Sequence, residues 1–201
     1  HGAPSWLLNI GCLSLGILAH DAWTRFLKPE PHTFPINESE RLKALSEYRI
    51  LGTKPEENYD DITKIASLTC GTPIALLSLV DSNRQWFKAK VGIEAEETVR
   101  DWSFCAHAIH SSEPLIVEDA LKDERFFDNP LVRGEPKIRL YAGFPLQNDK
   151  NLRIGTLCVI DREPHGLTDK QFSIMQSLSR QAVAFLELRK RSINLIESYC
   201  S

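Results

Sequence analysis

Hydrophobic positions along the chain change period several times, and each change marks an element. The run Trp6–Ala19 is almost wholly apolar, and a proline-punctuated stretch from Lys28 to Pro35 follows it. Beyond this, Asn37 with Glu40 three positions later has the spacing that satisfies orphan amides at a helix start. The helix this predicts carries Leu42, Leu45 and Tyr48 on one face. Thr53 and Glu56 open a second helix by the same logic, with Tyr59, Ile62, Ile65 and Ala66 at helical spacing and Gly71 as a left-handed C-cap.

The period then shortens. Pro73–Asp81 and Arg84–Ile93 read as strands joined by a turn at Ser82-Asn83. A short helical segment, Ser103–Ser111, precedes another strand at Pro114–Asp119. Leu121–Pro136 is polar, aromatic and irregular. Ile138–Gln147 and Arg153–Asp161 form a second hairpin across Asn148–Asn151. Thr168 with Gln171 is a capping box, flanked by Leu167 and Phe172 in staple positions. Phe172, Met175, Leu178, Ala182, Phe185 and Leu188 then repeat every three to four residues, predicting a helix of roughly 30 residues, longer than the usual globular range. Hairpins imply antiparallel pairing, and terminal helices imply one covered face. The fold class is α+β, a central antiparallel β-sheet with helices packed on it.

Composition narrows the function classes. In 201 residues, hydrophobic side chains make up 42% and charged ones 25%, the balance of a soluble globular chain, with a net charge of -3. No concentrated basic face is visible, which speaks against a nucleic-acid partner; Arg189–Arg191 reads as a solvated helix end. Cys12, Cys70, Cys105, Cys158 and Cys200 are odd in number and contain no CxxC pair. That pattern points to free thiols in a reducing compartment. The apolar run after Gly2 fits a buried helix packed on the domain or on a second copy, a membrane-proximal remnant, or a signal or added leader.

Five blocks carry a resemblance: Asp101–Ile109 with Pro114–Asp119, Arg125–Val132, Ile138–Leu146, Ile154–Asp161 and Leu167–Asp169. In this order they resemble the GAF domains of bacterial signalling proteins, over roughly Glu38–Arg191. The resemblance divides the chain into an apolar helix and linker (1–35), the GAF domain (36–191) and a helical extension (192–201). It implies a GAF-like, PAS-related sheet with N- and C-terminal helices on one face. A pocket on the other face would be walled by Ser103–Ser111 and Leu121–Pro136. It also implies a cytoplasmic, non-catalytic sensory or regulatory module. Its expected partners are a second copy, joined through the N- and C-terminal helices, and an output kinase, receiver or cyclase domain. An unidentified small-molecule ligand is compatible with this, and no cofactor is specified.

Cys105, His107 and His110 supply at most three metal ligands, with 105 and 107 on different sides of a helix, so no metal site is assigned. Nucleophilic catalysis would need an orienting group such as Asp119, which the spacing does not require; no catalytic residue is assigned. GAF-type free methionine sulfoxide reductases offer an alternative in which Cys105 is a redox cysteine. Leu121–Pro136 lacks the second cysteine of that pattern, and Cys70 and Cys158 fall in core elements, so no resolving thiol is expected within reach. The nucleotide-binding pattern of some family members is not found, and Cys105-Ala-His107 departs from the adjacent Cys-His of bilin attachment. The candidate ligand residues are Trp102, Phe104, Cys105, His107, Asp119, Phe127, Asn129, Arg139 and Tyr141. A domain whose pocket is filled, with Phe126 and Phe127 pinning the loop, is the remaining alternative, serving as a dimerisation spacer.

Overall fold

Period-two apolar runs must bury both faces or one, and here the central strands bury both. The computed structural model describes residues 34–200; the expectations for the apolar run and for nearly all of the proline-punctuated stretch lie outside the described residues. Two helices come first, α1 (Glu38–Glu47) and α2 (Glu57–Cys70). A hairpin follows, β1 (Ile74–Val80) and β2 (Arg84–Val91), then a three-residue strand β3 (Glu97–Val99) and a 3-10 turn at Arg100–Trp102. Next come α3 (Phe104–Ala108), β4 (Leu115–Val117), the single-turn α4 (Pro130–Arg133), β5 (Leu140–Gln147), β6 (Arg153–Asp161) and α5 (Asp169–Cys200).

The six strands form one antiparallel sheet in the order β3-β2-β1-β6-β5-β4. A bulge breaks the β1–β2 register, Leu77 pairing with Ala89 and Ser78 with Phe87. The extra residue is Lys88, whose buried ammonium donates to Thr53 Oγ1, Lys54 O and Glu56 Oε1. The bulge thus ties β2 to the turn before α2.

Each face of the sheet has its own core. On one, Leu77, Leu79, Ala142, Phe144, Leu157 and Val159 pack against Leu45 and Tyr48 of α1, Tyr59, Ile62 and Ala66 of α2, and Met175, Ala182 and Leu186 of α5. On the other, Ile74, Leu76, Phe87, Tyr141, Cys158 and Ile160 pack against Phe104, Cys105, Phe126, Val132 and Ile138. Strand alternation produces this division: odd and even positions of β5, and of β6 from Leu157 to Ile160, serve opposite cores. The terminal helices do cover one face, leaving the short helices and the long connection to cover the other.

Several local expectations are corrected. Asn37 makes no side-chain cap, and Glu38 turns instead to Arg41. Thr53 does not cap α2, because its hydroxyl is held by Ile50 O and Lys88; the N-cap is Glu56, without a side-chain bond. Ile65 lies off the Tyr59–Ile62–Ala66 stripe and is exposed. Leu42 is only half-buried, while Arg41 and Ala44 are buried. The capping box of α5 does form, Thr168 N donating to Gln171 Oε1 at 2.9 Å and Gln171 N to Thr168 Oγ1 at 3.3 Å. Gly71 adopts φ 68°, as a left-handed cap requires.

Candidate functional site

The face away from the terminal helices encloses a cavity of about 320 Å³. Its floor is sheet: Ile74 and Leu76 from β1, Gln85 and Phe87 from β2, Tyr141 from β5 and Ile160 from β6. Its walls come from Ile93–Ala95, Thr98, Ser103–Cys105, Leu131, Glu135, Pro136 and Ile138. The lining is predominantly hydrophobic, with a few polar groups at its edges. That combination suits a small, mainly apolar molecule.

Local chemistry sets each wall. Ser103 caps α3 by accepting from Ala106 N at 3.0 Å, and its hydroxyl donates to Gln85 Oε1. This anchors the start of α3 to β2 and points Phe104 and Cys105 inward. Phe104 stacks on Phe126 at a centroid distance of 4.0 Å and lies 5.1 Å from Tyr141. Asn129 caps α4 through Leu131 N (2.9 Å) and donates to Trp102 O (3.1 Å), latching the long connection onto the turn before α3. Arg139 Nη1 donates to Val132 O and Ile138 O, closing the same connection from the other end.

Of the nine residues singled out from the sequence, the structure brings Phe104, Cys105 and Tyr141 together at the cavity. Trp102, 39% exposed, lines a shallower neighbouring cleft with Asn83, Arg84, Glu97 and Val99. His107 packs edge-on against Phe126 at 4.8 Å. Asn129 and Arg139 are the latches just described. Asp119 accepts from Leu121 N and pairs with Lys122, and that pairing holds its carboxyl below the usual range. Phe127 is 43% exposed, so of the two phenylalanines only Phe126 enters the core. Gln85, Ile93, Leu131 and Ile138 line the cavity and were not singled out. Which face of a fully buried strand meets a cavity depends on its register, which the sequence pattern does not carry.

A polar cluster lies at the inner wall. Cys105 Sγ is 3.9 Å from Cys158 Sγ and accepts a hydrogen bond from Tyr141 Oη at 3.3 Å. Cys158 does sit in a core strand, as expected, yet this leaves it beside Cys105 rather than out of reach. Ser78 and Thr156, opposite one another on β1 and β6, add two buried hydroxyls without another partner. Burial opposes a charge on Cys105, but the neighbouring Cys158, Thr156, Tyr141 and Ser78 outweigh it and draw the thiol below its usual value. Cys158 moves the other way, first through its bond to Cys105 and then through burial. Burial and the neighbouring sulfurs raise the Tyr141 phenol. Gly143, paired with Cys158 across β5 and β6, makes room for this arrangement, because a Cβ there would collide with the Tyr141 ring and hydroxyl.

Among the described residues, no group of three or more His, Cys, Asp or Glu is placed to hold a metal ion, and no helix is long and apolar enough to cross a membrane.

Comparison with known proteins agrees with this architecture. The family model for the GAF domain matches residues 54–186. A cyclic di-GMP phosphodiesterase from Pseudomonas aeruginosa is 40% identical over 165 residues, which is 82% of this chain; the chain spans 28% of that protein's length. Among solved structures, the GAF domain of an Acinetobacter phosphoenolpyruvate-protein phosphotransferase aligns with a TM-score of 0.57 and 16% identity, covering 77% of this chain and 98% of that one. The second GAF domain of DevS from Mycobacterium smegmatis aligns with a TM-score of 0.52 and 14% identity, covering 71% and 99%. With the sheet order, the two-faced core and the family match in agreement, the chain belongs to the GAF domain family.

Proposed function

We propose that this chain is the non-catalytic regulatory module of a larger cytoplasmic bacterial signalling protein, and that it binds a small, mainly apolar molecule in the cavity beside Phe104, Cys105 and Tyr141. The cavity carries the reading. At about 320 Å³ it falls at the lower end of small-molecule sites, and it is formed by elements that the second core holds in place. The similarity to a cyclic di-GMP phosphodiesterase supports an output domain outside the chain, since the match covers only 28% of that protein.

Self-association through the terminal helices is part of the proposal. Leu188, Leu195, Ile196 and Tyr199 of α5 are exposed and recur at helical spacing on its distal half. A second copy placing the same stripe against this one would bury both and carry a signal along α5.

Titration with N-phenyl-1-naphthylamine, an uncharged fluorophore, tests the cavity. Saturable enhancement is expected, weakened about tenfold or more by Ile93→Trp, which fills the wall at the loss of one buried ring. Absence of saturable binding, or equal binding by a variant with an unchanged melting temperature, overturns the reading.

A further inference from the structure

Two sulfurs that could form a bond lie at the wall of a cavity. Cys105 lines that cavity directly, and Cys158 stands behind it at 3.9 Å on β6. The remaining described thiols are separate: Cys70 closes α2 in the opposite core, and Cys200 is exposed near the end of α5. We propose that Cys105 and Cys158 are a reactive dithiol, oxidised to a disulfide by an organic hydroperoxide whose apolar tail occupies the cavity. The proposal rests on the cavity being a small-molecule site and assigns that site a ligand class.

The geometry divides the roles. Cys105 faces the space where a substrate can sit, so its sulfur attacks the terminal peroxide oxygen. The O–O bond breaks, the alkoxide leaves with the proton released by Cys105, and Cys105 becomes a sulfenic acid. Tyr141 Oη, already directed at this sulfur at 3.3 Å, is placed to donate a hydrogen bond to the departing oxygen. Cys158 then attacks the sulfenic sulfur, its thiol proton leaves with the hydroxyl as water, and the disulfide forms. In sum, two thiols and one hydroperoxide give one disulfide, one alcohol and one water. Closing the bond brings the sulfurs from 3.9 Å to about 2.05 Å. An external dithiol, exchanging through a mixed disulfide, returns both to thiols.

Polar surroundings favour the first step. Tyr141, Ser78 and Thr156 bring hydroxyls to Cys105. The apolar lining selects the oxidant, because a hydroperoxide carrying a hydrocarbon tail displaces poorly held water where hydrogen peroxide offers nothing to bury. Oxidation would join α3, a wall of the cavity, to β6, the strand that leads into α5.

The test exposes the full chain to one equivalent of cumene hydroperoxide or hydrogen peroxide, with dimedone as the sulfenic-acid trap. Peptide mapping under non-reducing conditions then follows. A cross-link between tryptic segments 101–122 and 154–162 is expected, forming about tenfold faster with cumene hydroperoxide, the ratio expected from burying one phenyl ring. Dithiothreitol should reverse it. Cys158→Ser should give a dimedone adduct on Cys105 and no cross-link, whereas Cys105→Ser and Cys105→Ala should give neither. Both segments remaining fully alkylatable after treatment overturns the proposal, as does equal oxidation of Cys158 in the Cys105 variants. If N-phenyl-1-naphthylamine binds saturably while the thiols stay reduced, the dithiol fails and the cavity reading stands. If neither occurs, both fail.

Discussion

Glu38 shows how much one half-buried carboxylate can hold. It accepts from Arg41 Nε and Nη2 at 2.8 Å each and from Arg100 Nη1 at 2.6 Å, joining α1 to the turn that leads into α3. Both arginines are almost completely buried, and they also bond Val80 O and Asp81 O. Burial works against the charge on Glu38, but the two guanidiniums prevail and lower its carboxyl from 4.5 to about 2. The stabilisation is therefore complete above pH 4.5, where the unfolded chain is ionised as well. It is lost as pH falls toward 2 and the folded carboxylate takes up its proton. Glu38→Gln should lower the unfolding free energy by about 2 kcal/mol at pH 7, a figure reduced from that of a fully buried pair because solvent reaches one side of the carboxylate. Urea denaturation of both chains at pH 7 and pH 3 checks this. The gap should narrow at the lower pH, and a constant gap would show that packing rather than charge sets the cost.

At the scale of elements, α5 divides into a docked half and a projecting half. Its first turns carry Phe172, which meets Phe144 edge-on at 5.1 Å, and Met175, Ala182 and Leu186 in the core. Arg189 is the last strong anchor, donating to Tyr48 O, Arg49 O and Glu56 Oε1, with Lys190 beside it on Glu47. Beyond them the side chains are largely exposed, and the Arg49–Glu197 pair is a surface ion pair of little worth. Truncation after Arg191 should therefore leave unfolding within about 1 kcal/mol of the parent while abolishing concentration-dependent self-association. Analytical ultracentrifugation of the two chains measures it; an undiminished dimer would place the contact elsewhere. The docked half was legible in the sequence because Thr168, Gln171 and the three-to-four-residue repeat agree with one another. Thr53 misled because a capping residue caps only when nothing else takes its side chain, and Lys88, distant in sequence, takes it. Asn37 misled because its backbone, at φ -102° and ψ 31°, lies outside the extended region usual for a cap. Strand β3 passed unseen since three residues on a sheet edge, mostly exposed, carry no period. At the site, Phe104, Cys105 and Tyr141 were legible from their motif blocks. The nearness of Cys158 was not, because it depends on how β6 faces α3 across the core.

For the whole molecule, the sheet is a single layer between two cores, and this decides how the cavity can affect α5. On β5 and β6, Tyr141, Cys158 and Ile160 face the cavity side, while Ala142, Phe144, Leu157 and Val159 face the helices. Neighbouring residues on one strand therefore belong to different cores. Tyr141 is three peptide units from Phe144 on β5, and Cys158 is one from Leu157, which pairs with Phe144, so a displacement of either reaches the packing of Phe144 against Phe172. Dense packing makes such shifts costly to absorb locally. Occupying the cavity with N-phenyl-1-naphthylamine should slow amide exchange in 93–105 and 131–138, which form its walls. It should also change exchange in 169–186 by about twofold or more, the sign of a coupling free energy between the two faces. Hydrogen–deuterium exchange read by mass spectrometry separates these segments. Protection confined to the walls, with α5 unchanged, would mean that the sheet isolates the cavity from its helix, and signalling along α5 would then need another input.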